Sequence, residues 1–154
     1  MDRKRLLAVA GLAVVMIFLL GYAGMEPAAA PSSETHSAKI NWMDYKDGLE
    51  KAKKENKLVF VDFTADYCGV CVKMEKDVFS KQEVAESLNQ HYVAVRVNTV
   101  KDRDLAVNYQ IRGIPTFWML SAKGDKLGRI IGYMDADQMI KMLKHVKEKF
   151  GENK

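Results

Sequence analysis

Two cysteines are all that this 154-residue chain contains, and they stand three positions apart, at Cys68 and Cys71. So low a count excludes a small scaffold stapled by disulfides. It also leaves structural zinc short of ligands, because such a site takes four, and His36, His91 and His145 are scattered without ligand spacing. Covalent haem attachment requires a histidine directly after the second cysteine, where Val72 stands. Clustered charge is missing too. The formal net charge is +4, yet Arg3, Lys4 and Arg5 lie at the start and the other lysines alternate with acids, which gives no footprint for nucleic acid. With 48% hydrophobic and 29% charged residues, the composition is that of an ordinary globular chain rather than a disordered or repetitive one.

What is present begins with a basic flank followed by Leu6 to Met25, a run without a single charge. Its length sits at the boundary between a secretory signal and a membrane span, so residues 1–25 are expected to be a signal peptide or an N-terminal membrane anchor. A buried core helix is the competing reading, disfavoured by the basic flank and by the Pro-, Ala- and Ser-rich segment that follows. Ala28 and Ala30 offer a small-x-small cleavage site. Either surviving option puts the rest of the chain outside the cytoplasm, periplasmic or extracytoplasmic, secreted or attached to the inner membrane through Leu6 to Met25. Residues 26–38 read as a flexible linker, and residues 39–154 as one domain.

Within that domain helical and strand-like patterns alternate, which predicts an α/β fold with helices flanking a central mixed sheet of four to five strands. Trp42, Tyr45, Leu49 and Ala52 recur at helical spacing. Leu58 to Phe63 is a nearly continuous apolar run, expected to be a central strand covered on both faces. Cys71, Met74 and Val78 line one face of a helix starting near Cys68, and Ser80 with Glu83 spells a capping box for more helix. Val93, Val95 and Val97 mark a second strand, and Asp102 to Tyr109 a further helix. Thr116 to Leu120 and Gly128 to Gly132 read as a hairpin across the turn residues Ala122 to Asp125. Asp135 and Gln138 then cap a last helix with Met139, Ile140, Leu143, Val146 and Phe150 as its apolar stripe.

A C-x-x-C pair between a buried strand and a helix start suits redox chemistry on two counts. The first turn of a helix brings both sulfurs within disulfide reach without backbone movement. Free amides and the positive end of the helix then favour a thiolate at the first cysteine. Cys68 is thus the expected nucleophile, and Cys71, predicted to face the core with Met74 and Val78, the resolving thiol. A purely structural disulfide is disfavoured, since closing so short a loop gains little entropy. Asp62, a carboxylate late in an apolar strand, is either a buried base with a raised pKa that takes the Cys71 proton, or a solvated strand-end residue. Pro115 precedes a strand at a position where its missing amide breaks no ladder bond.

Taken together, Val61-Asp62-Phe63, Ala65-Asp66-Tyr67-Cys68-Gly69-Val70-Cys71 and Ile111 to Phe117 resemble the thioredoxin superfamily over roughly Ile40 to Phe150. Within it, Lys73-Met74-Glu75, Val78-Phe79-Ser80 and Gly132-Tyr133-Met134-Asp135 are similar to the C-terminal periplasmic domain of thiol:disulfide interchange proteins of the DsbD kind. The resemblance implies a thioredoxin fold and dithiol-disulfide exchange with no cofactor beyond the cysteine pair. It makes Cys68 the nucleophile, Cys71 the resolving thiol, Asp62 the buried carboxylate and Pro115 a cis-proline. It further implies that the Ile114 backbone pairs with substrate beside Tyr67, Gly69 and Val70. Tyr67 replaces the common tryptophan and Val70 the proline of ordinary thioredoxins, and the dipeptide between the cysteines bears on redox poise. The expected role is a reductase of disulfide-bearing exported proteins, fed by a separate membrane electron donor of the DsbD or CcdA type. An oxidase or isomerase on the same fold is the alternative, and a soft-metal-binding or adaptor module the third reading.

Overall fold

The computed structural model describes residues 39–151, so the expected leader and linker lie outside the described residues. Among these, no helix is long and apolar enough to cross a membrane. The chain runs α1 (Tyr45–Glu55), β1 (Leu58–Thr64), α2 (Gly69–Met74) continued by one π-helical turn (Glu75–Phe79), and α3 (Gln82–His91). There follow β2 (Tyr92–Asn98), α4 (Arg103–Asn108), β3 (Thr116–Leu120), β4 (Lys126–Ile131) and α5 (Ala136–Phe150). The four strands lie in the order β2-β1-β3-β4, with β1 and β2 parallel and the other pairs antiparallel. This is the α/β fold expected, with the lower of the two strand counts.

Every residue of β1 up to Phe63 is buried, as its continuous apolar run demands of a strand with helices on both faces. Side chains alternate across the sheet. Leu58 and Phe60 therefore join the core beneath α2, α3 and α5, while Val59, Val61 and Phe63 join the opposite core beneath α1 and α4. The same period directs Asp62 toward the first of these layers, under the helix that carries the cysteines.

The last helix starts as its sequence spells: the Gln138 amide donates to Asp135 Oδ1 at 2.8 Å and the Asp135 amide to Gln138 Oε1 at 3.0 Å. Met139, Leu143 and Val146 are buried along it. Strand β4 begins two residues before its predicted start, because Ser121 and Asp125 already close the turn through paired backbone and side-chain bonds. Gly124, at φ +92, supplies the left-handed residue there. A register shift at Met119/Leu120 then leaves Leu127 as a bulge in β4.

Two expectations are corrected. Ser80 does not cap a helix with Glu83; its hydroxyl bonds back to the Lys76 carbonyl, and α3 starts after Lys81 with no side-chain cap. The π-helical turn explains this, since it carries the chain one residue further and spends Ser80 on its own exit. Trp42 is not on the stripe of α1. It precedes that helix and packs on the opposite core, edge-on to Phe79 at 5.3 Å, while Met43 bridges to Val95 beside β2. The apolar spacing continued past the true start of the helix and imitated one more turn.

Helix α1 crosses β2 at Gly48, where an added Cβ would fall 2.3 Å from Val95 Cγ2. Val95 is fully buried and branched, so it has no room to yield. Gly48→Ala is expected to destabilise the protein by about 1–3 kcal/mol through overpacking. Urea unfolding should show the lower midpoint at an unchanged slope.

Candidate active site

Strand β1 delivers the chain to the top of the sheet, and the loop after it turns at once into α2. Cys68 is the N-cap residue of that helix: its backbone is extended, and the Cys71 amide donates to its sulfur at 3.1 Å. Cys68 and Cys71 form a disulfide with Cα atoms 5.2 Å apart. The sulfur of the first cysteine thus occupies the place where a serine or aspartate oxygen would cap a helix, and an amide is already aimed at it.

Ile114-Pro115 faces this turn from the loop before β3, and its peptide bond is cis. The Ile114 carbonyl oxygen lies 3.8 Å from Cys68 Sγ, close enough to accept a weak hydrogen bond once that sulfur carries a proton. Pro115 is buried and Ile114 half-buried. Tyr67 and Val70 stand out as exposed hydrophobics, 79% and 45% accessible, beside exposed Gly69. Ile131 and Tyr133 are also exposed, and a Cβ added at Gly113 would lie 3.9 Å from Ile131 Cγ2. All the residues expected at the site therefore gather at one end of the sheet.

The order of burial expected for the cysteines does not appear. Cys68 is only 9% accessible, whereas Cys71 is half-buried and not enclosed with Met74 and Val78. Cys71 sits in the first turn of α2, next to exposed Val70 and Val72. It opens instead on a groove of about 390 Å³ whose walls include Asp62, Cys71, Glu75, Arg96 and Pro115. Two larger or comparable grooves lie at the other end of the sheet, around His91 and Lys147, remote from the sulfurs.

Asp62 is buried and not solvated at the strand end: it is 3% accessible, in the layer under α2. Its pKa is raised to about 6, chiefly because burial penalises the carboxylate, with the Arg96 charge and hydrogen bond opposing and Glu75 adding a smaller upward push. Arg96 Nε donates to Asp62 Oδ2 at 3.0 Å, and Arg96 Nη2 donates to Glu75 Oε2 at 2.7 Å. The second oxygen, Asp62 Oδ1, is buried without a partner. A buried carboxylate oxygen of this kind is one hydrogen bond short of satisfied.

Sequence reading passed over Arg96 and gave Glu75 no role. A signal was present: Asp62 is the only charged residue of β1 and Arg96 the only one of β2. In the parallel register the two are direct cross-strand partners. Among the described residues, no three His, Cys, Asp or Glu side chains converge in a way that would hold a metal.

The comparisons with known proteins agree with this geometry. A family model described as a thioredoxin-like domain matches residues 45–147. The chain is 34% identical to thioredoxin Y, chloroplastic, of Oryza sativa subsp. japonica, over 82% of this chain and 74% of that one. It is 30% identical to the thiol:disulfide interchange protein DsbD of Vibrio vulnificus (strain YJ016) over 87% of its own length, but spans only 25% of that protein. Among solved structures, a thioredoxin from Thermus thermophilus superposes with a TM-score of 0.68 at 28% identity, covering 73% of this chain and 91% of that one. The DsbH oxidoreductase gives the same TM-score at 20% identity, over 80% and 95%, a likeness of fold.

A raised carboxylate pKa fixes the sign of one pH effect. Between the ordinary value near 3.8 and about 6 the folded protein binds more protons at Asp62 than the unfolded chain does. Stability from this group is therefore greatest below that window and falls as pH rises through it. Asp62→Asn removes the dependence. The unfolding free energy of the variant relative to wild type is expected to grow, from pH 4 to pH 7, by on the order of 2–3 kcal/mol. Chemical denaturation at the two pH values measures it, and a flat difference would mean that Asp62 is not the group titrating.

Proposed function

We propose that this chain, which belongs to the thioredoxin-like family and is a thiol:disulfide oxidoreductase with a Cys68–Cys71 redox disulfide, works in the reducing direction on disulfides of exported proteins. The observation that carries the direction is the pair of carboxylates behind the sulfurs, Asp62 and Glu75, lining the groove onto which Cys71 opens. A strongly oxidising dithiol owes its potential to a stabilised thiolate. Negative charge and desolvation beside the pair work against that, and the one cation in the groove wall is already engaged by both carboxylates. Gly69 and Val70, between the cysteines, add no charged or donating side chain.

In the cycle that follows, Cys68 thiolate attacks one sulfur of a substrate disulfide, forms a mixed disulfide and expels the other sulfur as thiolate. The amide of Cys71 favours the attacking thiolate, and the Ile114 backbone beside cis Pro115 offers an extended substrate segment a place to lie. Cys71 then gives its proton to Asp62 Oδ1, directly or through a water in the groove, and attacks Cys68 Sγ. The substrate leaves as a dithiol once its two thiolates have taken up protons, and the protein is left with the Cys68–Cys71 disulfide. Two electrons must return from another dithiol. The DsbD-like resemblance supports a membrane-borne donor of the DsbD or CcdA type, with the domain outside the cytoplasm and residues 1–25 as its signal or anchor.

Cys71→Ser should stop the cycle at the mixed disulfide and accumulate adducts through Cys68 that dithiothreitol releases. Cys68→Ser should form none and lose insulin reduction by at least two orders of magnitude. The direction is read separately, by equilibration with glutathione: a potential near about −270 mV fits a reductase, while one near about −120 mV would assign the protein to disulfide formation.

A further inference from the structure

Gly132 ties the chain after β4 to the loop of the cis-proline: its amide donates to the Pro115 carbonyl at 2.8 Å, and its φ of +95 is one that residues with side chains rarely adopt. Tyr133 follows directly, 41% accessible, and the Lys73 ammonium lies over its ring, 4.6 Å from the centroid. Lys73 stands three residues after Val70, so on α2 the two side chains are neighbours on one face, and Val70 itself lies between the cysteines. The contact therefore joins the helix of the cysteines to the segment bonded to Pro115. Among the described residues the Lys73 ammonium pairs with no carboxylate, Asp77 four residues on included. Acids close to the site are engaged elsewhere: Asp66 with Asn98, Glu75 with Arg96, and Asp135 with the start of α5.

We propose that Lys73, steadied by Tyr133, is a specificity-determining residue that favours disulfides flanked by acidic side chains. The proposal rests on the thiol:disulfide exchange argued above and names its substrate class. The face of an aromatic ring attracts an ammonium without cancelling its charge, as a carboxylate partner would. Lys73 is thus held as an exposed positive charge beside the cysteines. When substrate lies extended along the Ile114 backbone in the Cys68 mixed disulfide, the side chains next to its cysteine point alternately to opposite sides. Those sent toward Val70 and Tyr133 meet the ammonium, where an acidic one gains and a basic one loses. Unit charges about 6–8 Å apart in water alter a rate by about threefold at low salt, so exchanging glutamate for lysine in the substrate should alter it by about fivefold to tenfold. In about 1 M salt the screening length is about 3 Å, and the difference vanishes.

A competition experiment reads this directly. Reduced full-length protein is offered two peptides together, each closed by a disulfide between two cysteines and identical but for glutamate or lysine beside those cysteines. Each turnover reduces one peptide disulfide to a dithiol and oxidises Cys68 and Cys71 to their disulfide. With the protein limiting, the ratio of the two dithiol products by mass spectrometry is the ratio of kcat/KM, whatever fraction of the protein is active. Dividing it by the ratio that dithiothreitol gives removes the peptides' own reactivity. Wild type should favour the glutamate peptide about fivefold to tenfold at low salt and neither peptide in about 1 M salt. Lys73→Gln should bring the ratio close to one, and Lys73→Glu should invert it. Tyr133→Ala, which lets the ammonium swing away, should lower the ratio by about half, while Tyr133→Phe, which keeps the ring, should retain it.

A wild-type ratio near one, or a ratio that survives Lys73→Glu, overturns the proposal. So does a ratio that survives Lys73→Gln and collapses in Arg112→Gln, since the role would then belong to the exposed cation of the loop before cis Pro115. The direction of exchange is tested apart from this. Oxidised protein and the dithiol forms of the peptides pass through the same mixed disulfide, so a preference seen there, with neither peptide disulfide reduced by the dithiol protein, supports the role of Lys73 and rejects the reducing direction.

Discussion

A carboxylate placed in the interior of a sheet must either give up its charge or find a cation, and the region around the sulfurs is arranged by that requirement. Asp62 meets it halfway. Burial pushes its pKa up to about 6, and Arg96, its partner across the parallel ladder, stops it from rising further. Because β1 and β2 are neighbours in register, the pair follows from the topology itself and not from a chance encounter of long side chains. The Trp42 ring then lies against the guanidinium with Phe79 next to it, and the π-helical turn after α2 brings in Glu75. A turn of ordinary α-helix at that point would rotate the following side chains by a different amount and alter what meets Arg96.

In the proposed cycle the same arrangement separates the tasks of the two cysteines without relying on a large difference in burial. Cys68 takes the helix cap and an aimed amide, and Cys71 takes the groove and the base. In the proposed cycle one sulfur is prepared for attack by hydrogen bonding, the other by proton removal. Exposure counts for less than the identity of the nearest polar atom, which is why the half-buried state of Cys71 is compatible with a resolving role.

Much of this could be read from the sequence, wherever one local cause dominates. The continuous apolar run of β1 could belong only to a covered strand, and Asp135 with Gln138 forms both bonds of its capping box. The cysteine spacing, together with the strand before it, located the site. What escaped depended on competition between local signals. Ser80 had a backbone carbonyl within reach behind it and used that in place of a cap, and Trp42 continued a helical spacing that its backbone does not follow. Arg96 escaped for another reason: its meaning resides in the pairing of two strands more than thirty residues apart in the chain, each with a single charge. Once parallel neighbours are assigned, those two charges identify each other.

The sheet ends differently on its two sides. Met43 runs beside β2 and takes up backbone groups there, whereas among the described residues β4 is the last strand on the other side, with Ile130 and Ile131 partly open to water. Unpaired edges of this sort are templates for fibril growth. Here the bulge at Leu127 breaks the straight line a second copy would need, and Lys126 and Arg129, laid over Tyr109 and Trp118, set positive charge along the approach. Both devices work against edge-to-edge pairing of one copy with the next along β4.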